Sequence, residues 1–258
     1  MWLVFIFYIF AQQESYKDIV SKAQRLTLLR ERPKAVQMLK LVLDKKQLQP
    51  NEKQEVVAAF DRITEVFLKD RTQTLYSKAI SLKSKDTVRA LDALEEALSL
   101  EPYNILLHLE KAVIAVKSDG CKDDAEMAKK GLEVNPYYKE MLGIYYQAHV
   151  CLDQSLDINI DSAVSPEGIE AIYINALQSF LVKDYARALN SIDQGIKSHK
   201  YAAHLYWVKD KILQVKGLSQ ENNYSLWRQA CKQDENPLKK YPWTIDVCSQ
   251  LLKAENSN

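Results

Sequence analysis

Glycine and proline are scarce, with six and seven in 258 residues. Sandwiches and barrels need many turns, and phosphate-cradling loops need clustered glycine, so both are disfavoured. An excess of one charge is also missing. Lysine and arginine number 35 against 34 aspartates and glutamates, a formal net charge of +1. No global field therefore argues for nucleic acid or an acidic membrane surface, and no nucleic-acid partner is expected. The basic residues of the first helical pair, from Lys17 to Lys46, are spread around their helices and read as a solvated face.

Catalytic signatures are absent as well. His108, His149, His199 and His204 lack metal-ligand spacing, and no two of the four cysteines are separated by two or three residues. There is no Gly-x-Ser-x-Gly, glycine-rich phosphate loop or His-Glu-x-x-His. Asp157, Asn159 and Asp161 open like a calcium loop. The pattern then fails at its sixth position, Ser162, and at its twelfth, Gly168. Leu156, Ile158 and Ile160 alternate with these polar residues, as in a short extended segment. No catalytic residue, metal or cofactor is expected, and the chain reads as a non-enzyme.

The one long apolar run is Met1 to Phe10, too short for a membrane helix of ~20 residues. Ala11 supplies a small residue at a cleavage position, and polar Gln12-Gln13-Glu14 follow. Although a basic flank is missing, residues 1–11 are read as a cleaved signal peptide. An uncleaved N-terminal anchor and a buried core segment are the alternatives. On the first reading the mature chain carries no membrane-inserted segment and is periplasmic or secreted.

What is present is a helical composition, 47% apolar and 27% charged. Tyr16 to Arg30 places Ile19, Ala23 and Leu26 at helical spacing. Pro33 opens a second helix with Ala35, Val36, Leu39, Val42 and Leu43 along one stripe. Residues 52–83 contain neither glycine nor proline, and Val56, Phe60, Ile63, Leu75, Ala79 and Leu82 nearly keep phase. One long helix, straight or kinked near Asp70, is expected there, because it keeps first and second helices alternating. Asp86 caps the helix Thr87 to Leu100, and Gly120 separates two helices between Ile105 and Tyr138. A helix from Asn135-Pro136 runs to about Leu152, followed by an irregular segment, 153–165. Lys183-Asp184 joins two amphipathic helices over residues 169–200. Further segments follow at 201–216, 223–234 and 242–254, and residues 222–254 are read as C-terminal capping helices.

Small residues recur where paired helices must touch. Ala176, Ala188 and Gly195 are spaced by twelve and seven residues, with Tyr185 just before the second helix. Ala90, Leu94, Ala97 and Pro102 repeat the pattern, and Pro136 follows Pro102 by 34 residues. The chain thereby resembles the tetratricopeptide-repeat family of helical-repeat proteins, well over about 71–217 and weakly over 15–50. The resemblance implies an all-α, right-handed α-solenoid of about six antiparallel helix pairs, one domain over 12–258. It also implies a concave groove lined by first helices that binds a peptide or partner protein. The positions such repeats turn toward the groove fall at or near Tyr145, His149, Tyr173, Leu177, Phe180, His204, Trp207 and Lys211, with Tyr173, Phe180 and Trp207 foremost. Packing between repeats is the alternative for several of them.

The cysteines allow three pairings. Only Cys121–Cys151 with Cys231–Cys248 joins sequential antiparallel helices, as an oxidising compartment would favour. Each bridge would add roughly 3–3.5 kcal/mol in the chain-entropy model. Four buried free thiols are the alternative, since cysteine packs well in helical cores. The function expected is a non-catalytic interaction scaffold. Two alternatives are a structural subunit of an envelope or secretion assembly, and an accessory domain partnering a separate enzyme.

Overall fold

A computed structural model describes residues 15–45, 48–116, 121–152, 154, 168–233, 235–249 and 251. The signal-peptide reading of 1–11 lies outside these residues, as does the irregular segment 153–165 apart from Gln154. Among the described residues the chain is all-α, with twelve helices and no strand. They are α1 Tyr16–Leu28, α2 Arg32–Lys45, α3 Pro50–Glu65, α4 Asp70–Leu82, α5 Thr87–Leu100 and α6 Ile105–Val116. The series continues with α7 Cys121–Val134, α8 Lys139–Cys151, α9 Gly168–Leu181, α10 Tyr185–Ser198, α11 Ala203–Val215 and α12 Glu221–Cys231.

Local chemistry sets several helix starts. Ser15 and Asp18 form a capping box on α1. Pro50 opens α3, and the Asp86 and Asp184 carboxylates accept the Arg89 and Arg187 amides. Lys183 takes a left-handed φ of 62°, so the α9–α10 turn closes in a few residues.

Helix pairs stack consecutively, as in a helical-repeat fold: α1 with α2, α4 with α5, α6 with α7, α9 with α10, and α11 with α12. A second set of contacts runs along the molecule. α1 touches α3, α3 touches α6, α6 touches α8, α8 touches α9, and α9 touches α11. These six helices form one continuous row of contacts, called the inner row. Three apolar clusters result, and α6 joins two of them. Its Ile105, Ala112, Val113 and Val116 face the large C-terminal core, while Leu107 and Ile114 face α4 and α5.

The expected long helix over 52–83 is broken. α3 ends at Glu65 and α4 begins at Asp70. Residues distant in sequence hold the break. The Glu101 carboxylate accepts the Leu68 amide at 3.0 Å and the Lys69 amide at 2.9 Å. The Val66 carbonyl accepts from Asn104 Nδ2 at 3.2 Å and from the Arg32 guanidinium. Arg32 and Glu101 also pair at 3.1 Å, both almost wholly buried. Alternation survives by another route, because α3 packs directly on α6 and the α4–α5 hairpin is an extra pair between them.

The other side of this junction carries a titratable group. Asn135 Nδ2 donates to Asp61 Oδ1 at 2.8 Å. Burial raises the Asp61 carboxyl to about 6, against the opposing pull of that hydrogen bond. The folded chain therefore holds this proton more tightly than the unfolded chain. The cost of ionisation is full above about pH 6 and fades as pH falls toward the ordinary carboxylate value near 4. Asp61→Asn keeps an acceptor for Asn135 and removes the charge. Urea unfolding should show about 1–3 kcal/mol of stabilisation at pH 7.5 and none at pH 4. Equal effects at the two pH values would contradict this.

Ala188 on α10 is fully buried, in the core shared with α9 and α11. Ala188→Leu should overpack that contact by about 1–3 kcal/mol and lower the melting temperature measurably. An unchanged melting curve would contradict the packing.

Candidate functional site

The C-terminal segment does not continue as a helix from Pro242. Residues 235–246 run as turns and irregular chain, and helix resumes at Val247. This segment lies across α8, α9 and α11, three successive members of the inner row. Trp243 is 1% exposed. A Cβ added to Gly143 of α8 would sit 2.4 Å from its indole, so the ring fits only because residue 143 lacks a side chain. Indole Nε1 donates to Glu170 Oε1 on α9 at 3.1 Å, and Glu170 is also paired with Lys139. The Tyr173 ring stacks on Trp243 with centroids 6.0 Å apart.

Backbone is held as well as side chain. Gln147 lies one turn after Gly143 on the same face of α8. Its Nε2 donates to the Trp243 carbonyl at 2.7 Å, and its Oε1 accepts the Ile245 amide at 3.3 Å. One amide side chain thus satisfies a donor and an acceptor two residues apart on the segment. From α11, His204 Nε2 donates to the Ile245 carbonyl at 2.9 Å. Burial lowers the His204 imidazole to about 4, with the Ile245 hydrogen bond opposing the shift, so the ring is neutral at pH 7.

Disulfides frame the segment. Cys231 at the end of α12 is joined to Cys248, three residues beyond Ile245. Cys121 at the start of α7 is joined to Cys151 at the end of α8. Both bridges line an open cavity of about 900 Å³ that also borders His204, Lys239 and Asp246.

Most residues expected to face a groove lie in the core. Tyr145, Tyr173, Leu177, Phe180, His204 and Trp207 are all buried, and His149 and Lys211 are half-buried. Tyr145 packs edge-on to His149, Phe180 lies against Tyr185, and Tyr173 meets His204. Helices α8 and α9 are covered almost all round, as fully internal helices are. Their cover includes the C-terminal segment itself. Gly143, Gln147, Glu170, Trp243 and Ile245 were not singled out from sequence. The one available signal was a glycine inside an apolar helix with a polar amide one turn later.

Among the described residues, an open part of the inner row lies at its other end. Tyr16, Lys17 and Val20 of α1 and Glu55 and Arg62 of α3 border a trough of about 360 Å³, bridged by the Tyr16 hydroxyl donating to Glu55 at 3.0 Å. Among the described residues no group of three or more histidine, cysteine or acidic side chains is placed to hold a metal ion. No described helix is long and apolar enough to cross a membrane. No protein-family model matches the chain, and a search of curated proteins returns no match.

Proposed function

We propose that the chain is a non-catalytic interaction scaffold of the tetratricopeptide kind, a right-handed superhelix working outside the cytoplasm. Its inner row takes a peptide or partner protein. One observation carries the reading: α8, α9 and α11 already hold an irregular stretch of polypeptide by an indole pocket and by side-chain contacts to its backbone. Such contacts are how a surface recognises peptide. Paired cysteines support an oxidising compartment.

Affinity capture from the native cell envelope tests the reading, with the intact disulfide-bonded chain as bait. Lys17→Glu with Arg62→Glu, which inverts two charges beside the open trough, serves as the matched variant. A protein enriched by the natural chain and lost with the variant is the expected result. No enrichment, or equal enrichment by both, would contradict a partner on the inner row. Intact-mass measurement addresses export separately. A chain beginning at Gln12 is expected, and Met1 retained in a soluble cytoplasmic fraction would contradict it.

A further inference from the structure

The contacts made by residues 243–245 are those of a bound peptide, yet the peptide belongs to the chain. Its indole is seated on a glycine, its nitrogen is bonded to a buried carboxylate, and its backbone is read by Gln147 and His204. Each of these groups would meet a tryptophan-bearing segment of another protein in the same way. What distinguishes the resident segment is attachment. It is tied to α12 through the turn at residues 235–240, and tied again by Cys231–Cys248 immediately beyond Ile245.

Two ties make the local concentration of the segment very high. An outside peptide must compete with a ligand whose effective concentration is on the order of millimolar or more. Cutting the second tie leaves the segment covalently joined at one end, with its far end held only by packing, that of Val247 and Leu251 included. Cys231 and Cys248 are both half-buried and border the open cavity, so their sulfurs can be approached from solvent.

We propose that residues 241–248 are a cis-acting ligand that closes the site in the disulfide-bonded chain. Reduction of Cys231–Cys248 opens it to an extended partner peptide with tryptophan as anchor and a branched apolar residue two positions later. This rests on the scaffold reading above. The reductant is a dithiol. One of its thiolates attacks a bridge sulfur to form a mixed disulfide and expel the other as thiolate. Its second thiol then displaces the remaining sulfur. Two electrons and two protons pass to Cys231 and Cys248, and the dithiol leaves as a disulfide.

The experiment uses the full chain and a fluorescein-labelled synthetic peptide of residues 240–249 with serine for Cys248, followed by anisotropy. Cys231→Ser with Cys248→Ser should bind the peptide at least tenfold more tightly than the bridged chain. Cys121→Ser with Cys151→Ser should not. Adding Gly143→Leu to the first variant fills the indole seat and should abolish binding. Trp243→Ala with both bridges intact is the second probe. It empties the pocket without touching a cysteine, and it too should bind the peptide. Failure of both variants to bind, with native circular dichroism in either, would overturn the proposal. So would a dimer formed by exchange of the segment between two chains, which would make a second copy the occupant. If the peptide fails to bind but the natural chain still captures a partner from the envelope, the cis-ligand proposal falls and the scaffold reading stands.

Discussion

Glu101→Ala should cost about 3–5 kcal/mol, a large share of the 5–15 kcal/mol that holds a typical domain together. The carboxylate has three partners: the Arg32 guanidinium and the amides of Leu68 and Lys69. Arg32 is 3% exposed, and burial already lowers its pKa. Without Glu101 its charge stays buried with no counterion, and two backbone donors lose their acceptor. An apolar replacement of the ion pair would not rescue the site, because the amides would remain unpaired. Glu101→Gln keeps an acceptor for the amides and should fall between the natural chain and alanine. Urea unfolding provides the free energies. A loss under 1 kcal/mol for Glu101→Ala would show that the α3–α4 break does not depend on this carboxylate.

The second large effect belongs to Tyr173, which is fully buried at the meeting point of α9, α11 and the C-terminal segment. Tyr173→Ala removes a ring packed on Trp243 and His204 and should cost about 3–5 kcal/mol. Trp207→Ala, at 2% exposure, belongs in the same range. Together they would remove roughly 6–10 kcal/mol if additive, enough to unfold many domains. Loss of a partner by that double variant would therefore report on the core and not on a groove. Tyr173→Phe keeps the ring and loses only a long 3.4 Å contact to Gln147, so its cost should stay below about 1 kcal/mol. Thermal melts of the two Tyr173 variants check this. Equal losses for alanine and phenylalanine would contradict a packing role.

Where a signal is local, the sequence could be read to the residue. Asp86 caps the helix it was expected to cap, and Lys183-Asp184 makes the turn expected between α9 and α10. Helix order showed which cysteines could pair, and did not show that they would. Where the cause is distant, nothing local announces it. The break at residues 66–69 depends on Arg32, Glu101 and Asn104, about 30 to 40 positions away. The long helix was the reasonable expectation because residues 52–83 contain no breaker of their own. The same physics buried most of the residues expected to line a groove. Tyr173 and His204 do sit on inner-row helices, but a segment far along the chain from α8 lies over them. Hydrophobic spacing shows which face of a helix is apolar and does not show what will cover it.

Non-reducing peptide mapping of protein purified from its own cells tests the central claim most directly. The Cys231–Cys248 bridge ties down the segment that lies over α8, α9 and α11. Linked peptides joining Cys231 to Cys248 and Cys121 to Cys151 are the expected result. Four free thiols, or a Cys121–Cys231 link, would contradict the tethered segment and the proposed export.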